Sequence, residues 1–140
     1  MRKLVAVCLL TMMMAALAVA QPPAPPTGSV AMIFYWKAKP GKMDEYSRYI
    51  REIAEPIDME ARRAGAFLSV TTYVSQKPDS PWTHMRIFIL RDLAQADALK
   101  DALDKAGERV HPDAAERKKN GDYGVTLRDA AGSEEVQILH

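Results

Sequence analysis

A strand that changes abruptly into a helix constrains the fold of this 140-residue chain more than any other segment. Residues 30–37 are mostly β-branched, aliphatic and aromatic, a composition typical of a β-strand with two apolar faces. Pro40 and Gly41 then break the strand. Apolar residues recur every three or four positions from Met43 to Ile57, which predicts an amphipathic helix. Because both strand faces are apolar, we expect both to be covered in the folded protein.

The first 20 residues have the features of a secretory signal peptide. Arg2 and Lys3 precede an uncharged run at 4–19, and Ala18 and Ala20 form an A-x-A cleavage site. The run has 16 residues, whereas a helix that spans a bilayer needs about 20. We therefore predict cleavage after Ala20, a periplasmic or secreted location, and no stable membrane insertion after cleavage.

Residues 21–28, QPPAPPTG, contain four of the nine prolines and no charged side chain. This composition predicts an extended, Pro-rich leader. We interpret the leader as a spacer, with attachment to an envelope partner as the alternative. The folded domain is then predicted to occupy residues 29–140.

Charge and cysteine content exclude several classes of function. Without Arg2 and Lys3, 17 of the 19 basic residues remain against 18 acidic residues, a formal net charge of −1. No basic stripe is available to neutralise phosphates, so we predict no nucleic-acid partner. The single cysteine, Cys8, lies in the signal peptide, which leaves the mature chain without a thiol. The three histidines are far apart in sequence, and we predict neither a metal site nor a cofactor.

A hairpin and a second helix are predicted next. Residues 66–75 and 82–90 alternate as strands do, and the short loop between them indicates an antiparallel pair. Asp92 is a candidate N-cap for an apolar stripe that we expect to end at Gly107.

The C-terminal part of the chain has a weaker pattern. A short helix is expected through Lys119, with turns at Asn120-Gly121 and at Gly124. Two segments compete for the last strand, 124–128 and 134–139. The second is preferred because VQIL has the better strand composition.

The resulting order β-α-β-β-α-β predicts an α+β, ferredoxin-like fold. Such a fold is a four-stranded antiparallel sheet with the helices on one face. In a monomer the other face would expose a large apolar patch. We therefore expect a homodimer in which a second copy covers that face.

Specific segments carry a resemblance to a known family. They are Lys39-Pro40-Gly41-Lys42, Asp44-Glu45-Tyr46 and the hairpin end Phe88-Ile89-Leu90-Arg91-Asp92-Leu93. On these segments the chain resembles the dimeric α/β barrel superfamily over residues 30–106, in particular members similar to antibiotic-biosynthesis monooxygenases. The family includes cofactor-independent oxygenases of polycyclic aromatics, haem-degrading enzymes, isomerases and lyases, and members without an established activity. The oxygenases commonly use an Asn, a Trp and a His in the pocket, whereas the only Asn of this chain is Asn120.

The hairpin supplies the candidate site residues. If Leu68, Val70, Met85 and Ile87 face the helices, the other hairpin face presents polar and aromatic side chains to the barrel interior. His84 is the candidate general acid or base, and Arg86 would stabilise negative charge. The candidate ligand-binding residues are Phe34, Trp36, Thr71, Tyr73 and Phe88. The alternative for each charged residue is structural: a partly exposed His84, and an Arg86 paired with a carboxylate such as Glu134 or Asp122.

Two functions follow, and the sequence leaves open whether the protein is an enzyme. The first is an exported homodimeric α/β barrel that binds a small, largely apolar or aromatic molecule, with cofactor-independent monooxygenase-type activity as its catalytic form. The second is a non-enzymatic periplasmic interaction or stress-associated protein whose sheet face is only a dimer interface.

Overall fold

The computed structural model describes residues 23–139, so the predicted signal peptide lies outside the described residues. Within this range no helix is long and apolar enough to cross a membrane. The described part of the leader, residues 23–28, belongs to no helix or strand. Residues 23–26 border a groove beside Leu68, Ser69 and Ile89 at one end of the hairpin.

Four strands and four α-helices form the domain. In chain order they are β1 (Val30–Ala38), α1 (Met43–Tyr49), a π-helical segment (Ile50–Ala54), α2 (Glu55–Arg63), β2 (Ser69–Val74), β3 (His84–Leu90), α3 (Leu93–Val110), α4 (Ala114–Leu127) and β4 (Arg128–Gln137). The sheet order is β2-β3-β1-β4, and every neighbouring pair is antiparallel. The predicted α+β class and ferredoxin-like four-stranded sheet are confirmed.

Pro56 explains the irregular first helix. It has no backbone N–H, so it cannot bond the carbonyl one turn earlier. Just before it, the N–H of Glu55 bonds the carbonyl of Ile50, five residues back, at the end of the π-helical segment. The predicted helix is therefore interrupted just before Pro56, and the chain leaves α2 through Gly65 at a φ of 82°.

The C-terminal region differs from the prediction. Helix α4 continues through Asn120-Gly121 and Gly124, so the expected turns there are wrong. A Cβ on Gly124 would lie 2.7 Å from the hydroxyl oxygen of Tyr49, so this glycine permits close contact with α1. Helix α3 also passes Gly107 and ends at Val110, and its predicted end is likewise wrong.

The last strand begins at Arg128, between the starts of the two predicted segments. Residues 124–127 are helical, and β4 pairs with β1 from Ala38 opposite Arg128 to Val30 opposite Gln137. The preferred segment, 134–139, therefore contributes only the C-terminal part of the strand. A β-bulge interrupts the ladder between Tyr35 and Trp36.

The core lies between the helices and one face of the sheet. Val30, Phe88 and Leu90 of the sheet pack there with buried helical residues such as Ala61 and Leu99. The opposite face carries three cross-strand rows: Tyr73-Met85-Tyr35, Thr71-Ile87-Ile33 and Ser69-Ile89-Ala31. We call this second surface the open face; its Tyr73 is 48% exposed.

Candidate functional site

The hairpin register decides which predicted residues share a face. Val70 pairs with Phe88, and Thr71 pairs with Ile87. Because directly opposed residues point to the same side of a sheet, Val70 cannot share a face with Ile87. The assumed orientation is correct for Val70, which packs against the core, and wrong for Met85 and Ile87, which lie on the other face.

The register divides the predicted set between the two faces. His84, Arg86 and Phe88 lie on the helix-covered face, opposite the even-numbered residues of β1. The predicted residues on this side of the sheet are Phe34, Trp36, His84, Arg86 and Phe88. Thr71 and Tyr73 lie on the open face. One ligand cannot contact both groups within a protomer, since the sheet separates them.

His84 is fully buried beneath α1. Its Nε2 lies 2.9 Å from Oγ of Ser47, and its Nδ1 lies 3.0 Å from Oγ1 of Thr83. The ring also packs edge-on against Tyr46, with 4.6 Å between centroids. Burial lowers the pKa of His84 to about 4, so the imidazole is neutral near pH 7. The expectation of a partly exposed histidine is wrong, and both ring nitrogens already have hydroxyl neighbours.

Arg86 forms an ion pair with Asp58 of α2. Its Nη2 donates to Oδ2 of Asp58, and its Nε donates to Oγ1 of Thr72 at 3.3 Å. The side chains of Arg86 and Asp58 are 12% and 4% exposed. Burial raises the pKa of the Asp58 carboxyl, and the Arg86 charge opposes that rise.

The expected partners of Arg86 lie elsewhere. Glu134 is opposite Ile33, a residue of the open face, and Asp122 pairs with Lys118. The sequence reasoning missed Asp58, although its position carried a signal. It falls between Ile57 and Ala61 on the buried side of α2, where an acidic residue needs a partner.

A small crevice opens over this ion pair, between α2 and the hairpin. Its volume is about 200 Å³. Its lining residues are Glu55, Asp58, Met59, Arg62, Val70, Thr72 and Arg86. Ligand pockets are typically about 300–1,000 Å³, so the crevice suits a compact ligand. Arg86 is the one predicted site residue that lines it.

The aromatic residues predicted to bind the ligand, Phe34, Trp36 and Phe88, pack inside the protein instead. Phe34 and Phe88 contact edge to face at 5.8 Å between centroids. The guanidinium of Arg128 lies 3.7 Å from the ring centroid of Trp36 and 5.6 Å from that of Tyr46. Arg128 was not singled out in the sequence, since the strand that carries it was placed elsewhere. Within residues 23–139 no group of three His, Cys, Asp or Glu side chains is arranged to hold a metal ion.

Solved structures share the fold at low sequence identity. HapK from Hahella chejuensis is 8% identical with a TM-score of 0.52, and the match covers 79% of this chain and 92% of HapK. A dimeric protein of unknown function and ferredoxin-like fold from Bacteroides fragilis is 12% identical with a TM-score of 0.48, covering 80% and 96%. SnoaB, a cofactor-independent oxygenase from Streptomyces nogalater, is 14% identical with a TM-score of 0.46, covering 81% and 94%.

No protein-family model matches the sequence, and a comparison with curated proteins finds no match. At these identities the likeness to HapK concerns the fold alone. The ferredoxin-like fold that the predicted resemblance implied is confirmed.

Proposed function

We propose that this chain is an exported, homodimeric α/β barrel protein that binds a small, largely apolar or aromatic molecule at the Arg86 crevice. The observation that carries the proposal is the placement of the Arg86–Asp58 pair at an opening to solvent. Met59 and Val70 provide apolar surface beside the pair. A compact molecule with one polar group would match this combination. Export rests on the signal-peptide pattern of residues 1–20.

The open face supports the dimer. Ile33, Ile87 and Met85 occupy its centre and are only partly buried within a single chain. A continuous apolar surface of this kind marks an interaction site in soluble proteins. A closed twofold dimer covers the same surface on both copies at once.

A catalytic form of the proposal assigns a role to Arg86, which lines the crevice and would hold an anionic group of the substrate. His84 and Ser47 lie outside the crevice, so the imidazole takes no direct part in this form. Cofactor-independent oxygenase chemistry is one reaction of this class. The crevice volume of about 200 Å³ favours a compact substrate over a polycyclic one.

The complete burial of His84 supports a second, non-enzymatic function. A neutral imidazole whose nitrogens both have hydroxyl neighbours is typical of a structural residue. In that case the protein acts through its surface as a periplasmic interaction or stress-associated protein.

Native mass spectrometry of protein purified from its own compartment tests the dimer and the ligand together. The proposal predicts twice the mass of the chain from Gln21 onward, with a retained small molecule. The double variant Arg86→Met/Asp58→Leu should lose that molecule, and Arg63→Met should keep it. Arg63 serves as the control because it lies on α2 outside the crevice and is 71% exposed. Retention in the double variant would assign the pair to structure alone.

Dimer formation has its own test. Ile87→Lys places a charge at the centre of the open face and should give monomers in sedimentation velocity. Val125→Lys adds the same charge on α4, at a residue that is 63% exposed, and should leave the dimer intact. A dimer that survives Ile87→Lys uses another surface.

A further inference from the structure

The open face continues onto β4, and its two margins differ in chemistry. On this face Gly132, Glu134 and Val136 of β4 lie beside β1. Each cross-strand row therefore begins with a hydroxyl-bearing residue of β2, has a largely apolar centre and ends on β4. The complete rows are Tyr73-Met85-Tyr35-Gly132, Thr71-Ile87-Ile33-Glu134 and Ser69-Ile89-Ala31-Val136.

The margins are more open to solvent than the centre. Thr71, Gly132 and Glu134 are exposed within a single chain, whereas Ile33 and Ile87 are partly buried. A second copy that covers the apolar centre therefore also meets these margins. Since β2 and β4 are the two edges of the sheet, the pairing of the margins depends on the direction of the twofold axis.

Two directions of the axis bring the open faces together with the strands roughly aligned, as in other packed sheets. An axis parallel to the strands, between β1 and β3, places β4 of each subunit over β2 of the other. An axis across the strands places each strand over its own copy instead. The two arrangements bury the same apolar centre and differ at the margins.

Charge favours the axis parallel to the strands. On the open face β4 carries two acidic residues, Asp129 and Glu134, and no basic one. An axis across the strands would bring two such acidic strands face to face, and juxtaposed like charges disfavour association. With the other axis Glu134 lies over Thr71, whose hydroxyl can donate to the carboxylate.

The shapes of the two margins favour the same axis. Tyr73 is the largest side chain of the β2 margin and is 48% exposed. At the other end of its row Gly132 has no side chain, and a Cβ built there would have a single neighbour within 4 Å, Cδ2 of Tyr35 at 4.0 Å. The axis parallel to the strands lays the tyrosine of each subunit over this space.

We propose that two copies of this chain associate about a twofold axis parallel to the strands, so that Glu134 of each copy accepts a hydrogen bond from Thr71 of the other. In the same arrangement Tyr73 of each copy fills the space above Gly132 of the other. This inference rests on the proposed homodimer and adds its register. Because the axis repeats every contact, each substitution at a margin acts twice in the dimer.

Thr71 and Glu134 are far apart within one chain. They lie on the two edge strands, three strand spacings or about 14 Å from each other, and salt screens exposed charges beyond about 8 Å. Aligned sheets cross at about 30°, which displaces the ends of facing rows by about 4 Å, within the reach of a lysine side chain. Charge-dependent coupling between the two positions therefore reports contact between subunits.

Sedimentation equilibrium of the protein purified from its own compartment tests the register by charge. Thr71→Lys should lower the Kd of the dimer about fivefold, and Thr71→Glu should raise it about fivefold. Thr71→Glu/Glu134→Lys should return the Kd to the native value. The matched control is Thr71→Glu/Glu135→Lys, which should leave the Kd raised, because Glu135 lies opposite Met32 on the other face of the sheet.

The contrary results separate the register from the dimer. A native protein that stays monomeric at every concentration would remove the dimer and its register together. A native dimer that Thr71→Lys weakens would place each strand over its own copy and overturn the register alone. Equal Kd values for the two double variants would have the same meaning.

Cross-linking gives a second measurement, which also decides if the native dimer is too tight to dissociate. The chain from Gln21 onward has no cysteine, so single thiols can be introduced. A short bismaleimide suits the separation of packed sheets, about 10 Å, which is too long for a disulfide. It should join co-expressed Thr71→Cys and Glu134→Cys chains to each other and should join neither variant to itself. Absence of the mixed product would overturn the register.

Discussion

At the scale of single residues, β3 buries two polar side chains in different ways. His84 enters the core neutral, between two hydroxyl groups. Arg86 enters with its charge and takes Asp58 as counter-ion. Each arrangement satisfies the rule that a buried polar group needs a partner, and each responds differently to pH and to substitution.

The buried imidazole should make stability depend on pH. The unfolded chain binds a proton at His84 below about pH 6.5, whereas the native pKa is about 4. The unfolded state therefore holds more protons between these values, and stability rises with pH across this window by up to about 3 kcal/mol. Unfolding free energies from urea titrations at about pH 4.5 and about pH 7 measure the rise.

His84→Gln provides the comparison, because glutamine does not titrate. The variant should show a smaller rise over the same pH window. The titrating carboxylates are the same in both proteins, so their contributions cancel in the comparison. Asp58 is one of them, and its raised native pKa makes stability fall as the pH rises. Equal pH dependence in the two proteins would show that His84 has the same pKa in the native and unfolded states.

The Arg86–Asp58 pair should be costly to break from one side. Arg86→Met leaves a buried carboxylate without its counter-ion, and the free energy of unfolding should fall by about 3–5 kcal/mol. Arg86→Met/Asp58→Leu removes both charges and should recover most of the loss. Chemical denaturation of the two variants gives the comparison. A loss below about 1 kcal/mol in the single variant would indicate a solvent-screened pair.

The sequence indicated the importance of these residues and not their orientation. His84 and Arg86 are two positions apart on one strand, so a shared face followed from the period of a strand. Which face that is depends on the register, and a shift of one residue reverses it. In β3 one face carries Met85, Ile87 and Ile89, and the other carries Phe88 and Leu90 beside the two polar residues. Both faces therefore include apolar side chains, and the pattern alone could not decide which one is buried.

At the scale of elements, two glycines of α4 have different roles. Gly124 lies against Tyr49, whose ring packs between Tyr46 and Tyr123 and has little room to move. Gly121 faces empty space. In the sequence both residues indicated turns, and only the contact with α1 shows why a helix carries them.

Alanine at each glycine should separate these roles. Gly121→Ala should stabilise the protein by about 0.5–1 kcal/mol, because alanine loses less backbone entropy in a helix. Gly124→Ala should destabilise it by about 1–3 kcal/mol, because the new methyl overlaps Tyr49. Thermal unfolding of both variants measures the difference. The same sign for the two substitutions would contradict the packing of α4 on α1.

The N-terminus of α3 offers a test of capping. Oδ1 of Asp92 accepts from the backbone N–H of Gln95 at 2.9 Å, as its position in the sequence predicted. Asp92→Ala should cost about 1 kcal/mol, and Asp92→Asn, which keeps an acceptor, should cost much less. Equal losses in urea titration would assign the effect to charge rather than to the cap.

Elements with strong periodicity were predictable, and α4 was not. The segment from β1 to α2, the hairpin and α3 each bury a regular set of apolar residues, so their patterns are clear. Helix α4 buries only Gly124 and Leu127, which leaves no apolar stripe to detect. Because the helix was predicted to end at Lys119 and α4 ends at Leu127, the start of β4 at Arg128 was not predicted.

At the scale of the whole molecule, the open face should couple folding to association. If a second copy covers Ile33 and Ile87, the native state is stabilised by mass action. The melting temperature should then rise with protein concentration in the native protein and stay constant in Ile87→Lys. Differential scanning calorimetry over a hundredfold concentration range measures this. A concentration-independent melting temperature in the native protein would contradict the dimer.

The β-bulge between Tyr35 and Trp36 also bears on solubility. Strand β4 has a strand neighbour on one side only, and most of its residues are exposed. A long, flat edge of this kind is a template for uncontrolled aggregation. The bulge twists the edge, and Asp129, Glu134 and Glu135 would place like charges against each other in a growing stack. The edge of β4 can therefore remain unpaired and still resist fibril growth.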